Sequence, residues 1–589
     1  MTDMTTLGAS EDRPSASRWR LAAALALVLA VSAGVRLWLI AHTEVIARDG
    51  TIFVLMARGW SDEGMVGFRG YTFHPGYPVA IAGVHRMLAG VTGRTDLASW
   101  DLSGQIVSLL LGLAATAGVW YFAGKVFNWQ VAWMAALLFG VGRGWASLGS
   151  DALSDAPAIA FEIWSIVLAL AAMDQLARGS PRMILPAAAA GVLAGVGYLV
   201  RPEALLVTVP AAALWVACRI RTRKNWSLTF GGIGAMAAGA LACAAPYMIA
   251  IGGLTRKKSL EDFVTLPARL GDPSRPLAVP WPDAVASPAA GGTMMLADAA
   301  GLPWAYMEGL GKMAVNLFAA MHPVVAALAV VWLVTWIGDR ALRLKGLREV
   351  ALRPRAAGVF LMVGCLAVLG PFLIGQYAKH GFMSHRYLML PAALLSSLAG
   401  AGVWVLAVHA AKAFSRQPSQ KPPWQGEPLA RQARRGLTAT AARPRKTWFL
   451  AAGLTVAVTA GLVVHSLRPL HEGKLTFRLA GQTLGSMLRP GDFVLSDDSW
   501  VLHYSGAEGR LMDPAVVQPE VLARLVRDAP ATGSIYLVLN EMKAGEAAPD
   551  REWLRHDPAF VPLETLRDSA PKKETVVFSV YRARRSTLP

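Results

Sequence analysis

Charge is scarce in this sequence. Of 589 residues only 16% are Asp, Glu, Lys or Arg, and acids are fewer than bases, 39 against 57. A soluble globular chain averages about 25% charged residues, so too little charge is present to cover a water-facing surface of this length. Cysteine is almost missing. Cys218, Cys243 and Cys365 all lie in apolar stretches, which excludes a disulfide framework. Walker A, Cys-x-x-Cys and His-Glu-x-x-His patterns are absent, so nucleotide, redox and zinc-peptidase motifs find no support. The run Gly231-Gly232-Ile233-Gly234 sits inside an apolar stretch and reads as close helix packing, not as a phosphate loop.

What is present is apolar. Hydrophobic residues make up 54% of the chain and the mean hydropathy is +0.41. A spanning helix needs about 20 mostly apolar residues. Eleven stretches qualify, at 21–41, 103–123, 129–147, 154–174, 184–200, 204–218, 227–251, 319–337, 356–376, 386–409 and 447–466. The expected fold is mainly α, a polytopic membrane helix bundle followed by a small α/β domain. The first stretch lacks a small-residue cleavage site and reads as a retained span, not a signal peptide. The twenty Trp residues suit interface anchors.

Basic residues recur in every second loop. Arg13, Arg18 and Arg20 precede the first span, and Arg178, Arg182, Arg219, Arg221 and the runs at 340–355 and 412–446 follow in phase. Twenty-five Lys and Arg fall in such loops. By the positive-inside rule this puts the N-terminus in the cytoplasm and the C-terminal tail outside an inner (cytoplasmic) membrane. Much of the positive charge behind the net +18 therefore lies in inner loops, and no nucleic acid partner is expected.

The chain divides into a cytoplasmic segment 1–20, a membrane module 21–411, a basic disordered linker 412–446, a last span 447–466 and an outer domain 467–589. Two outer loops stand out. Loop 42–102 holds apolar runs 51–60 and 77–90, too short to span and suited to interfacial helices. Loop 252–318 is rich in Pro, Gly and Ala and reads as a lid, a binding loop or disorder. In the outer domain 492–496, 534–539 and 575–581 read as strands, and 475–488 and 518–528 as helices. No repeat relates the two halves, which counts against an inverted-repeat transporter.

Charges at the edge of a membrane helix are costly and usually have a task. At one outer level the sequence collects Asp49, His74, Asp151, Asp155, Arg201, Glu203, His380, His385, Arg386 and Tyr387. A single site facing the outer water would require such a level. Asp151 and Asp155 are four apart and are expected on one helical face, with Glu162 two turns deeper. That stripe can hold a cation, receive a basic group, or pair with Arg143. A buried pairing role is read for Glu162, and an interfacial anchor for Arg143. Asp155 is a helix N-cap or a functional acid. Asp49, in Arg48-Asp49-Gly50, suits a general base or a metal ligand, with a solvated pair to Arg48 as the bland alternative. His74 can donate to a phosphate or cap a helix. Arg201 and Arg386 can bind phosphate bidentately or simply snorkel to the interface.

The order of these motifs resembles the GT-C glycosyltransferases that use polyprenyl-phosphate sugars, in particular the branch of protein O-mannosyltransferases and the lipid A aminoarabinose transferase. The resemblance covers roughly residues 20–410. It rests on Asp49 after the first span, His74-Pro75-Gly76-Tyr77-Pro78, Ser154-Asp155-Ala156-Pro157, Tyr198-Leu199-Val200-Arg201-Pro202-Glu203 and Arg386-Tyr387-Leu388-Met389-Leu390-Pro391. It implies an inverting transfer of a monosaccharide from a polyprenyl-phosphate donor to an extracytoplasmic lipid, glycan or protein. Asp49 would activate the acceptor, and Asp155 would share a divalent metal ion with it. His74, Arg201 and Arg386 would hold the lipid phosphate, with Tyr77, Glu203, His385 and Tyr387 completing the substrate site. Two departures are visible: Gly50 and Thr51 stand where many members carry a second acid, and His74 replaces the Lys of the aminoarabinose branch. The rival readings are a multi-span transporter or flippase of a lipid-linked or anionic substrate, and a membrane scaffold in which these side chains have no reason to meet.

Overall fold

The computed structural model describes residues 18–68, 71–222, 226–255, 302–342, 355–380, 383–415, 429–512, 519–541, 553–567 and 577–584. Residues 1–17, most of loop 252–318, and 416–428 of the expected linker lie outside the described residues.

The apolar runs become helices: α1 (Arg18–His42), α2 (Arg48–Glu63), α3 (Gly76–Thr92), α4 (Leu97–Val126), α5 (Trp129–Val141), α6 (Arg143–Leu148), α7 (Asp155–Ala177), α8 (Ile184–Val200), α9 (Thr208–Thr222) and α10 (Trp226–Ile251). After the gap come α11 (Leu302–Met321), α12 (Pro323–Leu342), α13 (Ala356–His380), α14 (Met389–Ser415) and α15 (Leu429–Ser466). Among the described residues nine helices are long and apolar enough to cross a membrane.

Two of the eleven expected spans look different. The stretch 129–147 is two helices, because Gly142 adopts φ −59° and ψ 133° and ends α5. At 13 residues α5 reaches about 20 Å, short of the ~30 Å hydrocarbon core. The stretch 319–337 belongs to a pair of helices bent by 108° at His322. His322 sits at φ 68°, a left-handed helix stop, and Pro323 opens the next helix. Part of the linker is also helical, since 429–446 continue into the last apolar run as one helix. Its Ala, Leu, Arg and Lys content favours that state.

Charged pairs mark one end of the bundle. Lys125 at the close of α4 bonds Asp174 near the close of α7 at 2.8 Å, and Arg355 before α13 stands 3.8 Å from the same acid. Arg219 donates to the Leu176 carbonyl at 2.9 Å. The opposite end carries Asp49, Asp151, Asp155, Arg201 and Arg386. Between the ends, packing is close. A Cβ on Gly191 of α8 would strike the carbonyl oxygen of Met236 on α10, so the smallest residue is needed there. Helices α2 and α3, the expected interfacial pair, bury Phe53, Met56, Tyr77 and Ile81 beside Val107 of α4.

The C-terminal domain contains α16 (Leu475–Met487), β1 (Phe493–Ser496), α17 (Ser499–Ser505), β2 (Glu508–Leu511), α18 (Pro519–Arg527), β3 (Ile535–Asn540), α19 (Trp553–His556), β4 (Phe560–Arg567) and β5 (Val577–Ala583). The sheet order is β2-β1-β3-β5-β4, with β1 parallel to β2 and β3, and β5 antiparallel to β3 and β4. The sequence reading lacked β2 and β4. β2 is short and largely exposed, and β4 contains Pro562 beside a register shift, which an edge strand tolerates.

Candidate functional site

At the end of the bundle opposite Asp174, two guanidinium groups and three carboxylates meet. Each is placed by its local sequence. Asp49 lies in the first turn of α2, where the free N–H groups of a helix favour a carboxylate. Gly50 after it lets α2 press on the next segment, since a Cβ there would stand 2.7 Å from the Ala152 carbonyl oxygen. Asp155 is the first residue of α7 and its side chain is 1% exposed. Arg201 follows α8 in an extended conformation, φ −148° and ψ 129°, which Pro202 imposes on the residue before it. Arg386 sits in the 3-10 turn His385–Leu388, whose Ser384 Oγ accepts from the Arg386 backbone N–H at 3.3 Å.

Arg386 is the hub. Its Nη1 donates to Asp49 at 2.8 Å, its Nε to Asp155 Oδ2 at 3.1 Å, and its Nη2 to the same oxygen. Arg201 Nη1 donates to Asp155 Oδ1, and Arg201 Nε stands 3.7 Å from Glu203. The Arg201 guanidinium also lies 5.4 Å from the Tyr387 ring centroid. Burial alone would lower the Arg201 pKa, but Asp155 and Glu203 outweigh it and the net direction is upward. A cavity with about 430 Å³ of empty space, part of it open to the surroundings, adjoins the cluster. Asp155, Glu162, Arg201, Glu203, Arg386 and Tyr387 supply its polar wall, and Leu369, Phe372 and Leu373 of α13 its apolar one.

The structure thus brings together Asp49, Asp155, Arg201, Glu203, Arg386 and Tyr387. It sets three other candidates apart from the cavity wall. Tyr77 is fully buried and bonds Gly104 O at 2.9 Å and Ser108 Oγ at 2.8 Å, so it ties α3 to α4. His74 meets Thr255 Oγ1 at 2.9 Å and packs against Tyr198 and Tyr247. His385 is exposed beside Arg386.

Several readings need correction. Asp151 does not share a helical face with Asp155, because it precedes α7 in a turn. Its carboxylate accepts from Ala47 N and Ala152 N, each at 2.8 Å, and meets His471 Nε2 at 2.7 Å. Ser154, at the cap position of α7, makes no side-chain cap bond, and Asp155 turns to the arginines. Asp49 pairs with Arg386, not Arg48. Arg143 clasps the end of α15 through the carbonyls of His465 and Arg468, each at 3.1 Å. Glu162 forms no hydrogen bond or ion pair with a described residue, where a buried pair was expected.

The donor set, as arranged, does not fit a divalent cation. Both oxygens of Asp155 and one of Asp49 already face guanidinium groups. Among the described residues no group of three His, Cys, Asp or Glu is arranged to hold a metal.

Two features were not singled out from the sequence. Arg36 lies fully buried within α1, and its guanidinium takes the Gly140 carbonyl at 2.6 Å, where α5 ends. A lone Arg inside an apolar run was the signal for it. The other is a clasp on the segment leading into Asp49. Trp500 Nε1 of α17 donates to Ile46 O at 2.8 Å, and Ile46 N donates to the Tyr504 hydroxyl at 3.1 Å. Arg478 of α16 reaches Glu44 O at 2.6 Å, and Val45 is buried among residues of the C-terminal domain such as Phe477 and Trp500. His503 of α17 meets Asp101 of α4 at 2.7 Å. Burial first, and Asp101 second, push the Tyr504 phenol up, so it stays neutral.

Residues 96–249 match the model of the dolichyl-phosphate-mannose-protein mannosyltransferase family. No curated protein matches the chain by sequence. Among solved structures, apo ArnT from Cupriavidus metallidurans superposes with a TM-score of 0.51 at 12% identity, covering 97% of this chain and 99% of that one. The same enzyme bound to undecaprenyl phosphate gives 0.52 at 12% identity, over 96% and 98%. The archaeal oligosaccharyltransferase AglB from Archaeoglobus fulgidus, in complex with an inhibitory peptide and a dolichol-phosphate, gives 0.49 at 13% identity, over 97% of this chain and 75% of that one. The chain therefore shares the fold of ArnT over nearly its whole length, and its stretch from α4 to α10 is similar to the dolichyl-phosphate-mannose-protein mannosyltransferase family.

Proposed function

We propose that the protein is a membrane glycosyltransferase that moves a monosaccharide from a polyprenyl-phosphate carrier to an extracytoplasmic acceptor, with inversion. One observation carries this reading: Asp49, Asp155, Arg201 and Arg386, from four separate parts of the chain, join in one ion cluster at a cavity with an apolar wall. A phosphate headgroup and a prenyl chain ask for those two surfaces side by side. The ArnT structure bound to undecaprenyl phosphate supports the same donor class.

The chemistry follows from the donors left over. A guanidinium has five N–H groups, and Arg386 commits three bonds to carboxylates. The remaining N–H groups of Arg386 and Arg201 are aimed by those carboxylates and can hold the phosphate oxygens. Asp49, the more exposed acid, accepts the proton of the acceptor hydroxyl or amine as that atom attacks the anomeric carbon. The bond from that carbon to the phosphate oxygen breaks, and the electron pair leaves on the lipid phosphate, where two fixed cations stabilise it. A single displacement of this kind inverts the anomeric centre.

Eleven crossings remain part of this reading, beside the nine helices of the described residues that are long and apolar enough to cross on their own. Helices α5 and α6 together lead from the Lys125 end to the Asp151 end, and α12 returns the chain towards Arg355. α17 rests on the segment after α1, which supports a C-terminal domain on the side opposite the N-terminus. With the basic loops in the cytoplasm, that side is extracytoplasmic. The test is incubation of membranes carrying the protein with labelled polyprenyl-phosphate sugars. Label reaching an acceptor supports the reading, and passage of the intact lipid across proteoliposomes without covalent transfer replaces it with a flippase.

A further inference from the structure

Glu162 lies seven residues after Asp155 on α7, nearly two full turns, so it faces the same way about 10 Å along the helix. It is 7% exposed and lines the cavity. Every other acid of the site is engaged. Asp49 and Asp155 bond Arg386, Asp155 also bonds Arg201, and Glu203 stands by Arg201. Glu162 alone among them has neither a hydrogen bond nor an ion pair with a described residue, whereas Glu203 at least stands 3.7 Å from Arg201. Near it the wall is apolar, with Ile159 and Leu369. An acid left in such a place costs stability unless something in the cavity pairs with it. An anionic phosphate would be repelled there, and a prenyl chain has nothing to offer it. A sugar attached to a phosphate held at Arg201 and Arg386 does.

We propose that Glu162 receives a hydrogen-bond donor on the transferred sugar, a hydroxyl or an ammonium group, and so selects the carrier lipid by its sugar. The proposal rests on the glycosyl-transfer reading. It makes Glu162 a specificity residue of the donor site, separate from the arginines that hold phosphate.

The full-length protein in detergent or nanodiscs serves as the test, with undecaprenyl phosphate and a panel of undecaprenyl-phosphate hexoses, their deoxy analogues and an amino sugar. E162L should keep the wild-type Kd for undecaprenyl phosphate while its KM for the sugar-bearing donor rises about tenfold or more, the loss expected for a buried hydrogen bond left unmade. E162Q tells the two donor groups apart. A Gln amide oxygen still accepts from a hydroxyl, so the KM stays near wild type, whereas an ammonium loses its counter-charge and the KM rises as in E162L. Equal weakening of undecaprenyl phosphate and of the sugar-bearing lipid in E162L would mean a structural role and would overturn the proposal. So would transfer that E162L leaves unchanged. Wild-type protein that transfers nothing from the panel would overturn the glycosyl-transfer reading itself, and this proposal with it.

Discussion

Arg386 Nη1 donates to Asp49 Oδ2 at 2.8 Å although 337 residues separate them. The same guanidinium holds Asp155, so an acid following α1 and an acid opening α7 are fixed relative to each other by one side chain from the start of α14. The proposed base and the proposed phosphate site are therefore joined through one guanidinium.

Removing the basicity of Asp49 without changing its size should stop transfer. D49N is expected to lower kcat by at least ~100-fold, the scale of general-base catalysis. Its elution profile and undecaprenyl phosphate binding should stay close to wild type. Full activity in D49N would remove the catalytic assignment.

The arginine fork should matter beyond its charge. R386K keeps a cation, but one ammonium cannot reproduce the planar bonding to Asp49 and Asp155. Transfer should fall by ~10-fold or more and undecaprenyl phosphate binding should weaken, the scale of one or two charge-assisted bonds. Titration of both quantities in R386K, beside R201K, measures it.

The C-terminal domain should act on the reaction through α17. Y504F leaves the Ile46 N–H unpaired and W500F leaves the Ile46 carbonyl so, each costing ~1–3 kcal/mol of local order. Because Ile46 lies three residues before Asp49, the expected signature is a lower kcat with the donor KM little changed. A change confined to KM would speak against positioning.

Arg36 should be a stability residue. R36M removes the charged donor to the Gly140 carbonyl and leaves it only the Ser32 hydroxyl at 3.1 Å. A loss of ~1.5–3 kcal/mol is expected, the scale of a hydrogen bond made by a charged group. Thermal unfolding in detergent should show it as a lower Tm. Donor binding measured well below that temperature should persist.

Much of the site was legible because its residues break a local pattern. Asp155, Arg201 and Arg386 each stand at the edge of an apolar run, beside a Pro or a helix start, and such breaks read directly from sequence. Asp151 misled because its spacing of four from Asp155 suggests one helix face, while the helix begins only at Asp155. Tyr77 misled because a motif resemblance says nothing about which way a side chain turns, and Ser108 and Gly104 of α4 claim its hydroxyl. β4 escaped because Pro562 and a register shift hide its alternation.

By itself the sequence determined that this is a chain of many membrane helices, and which charged residues sit at the ends of them. Hydrophobicity is local and additive, so a run of apolar residues reports its own environment. Only the tertiary structure decided which charges meet. It joined Arg386 to both Asp49 and Asp155, left Glu162 facing the cavity, and laid α17 against Ile46. Those pairings depend on how helices pack across hundreds of residues, at contacts that no single stretch of sequence contains.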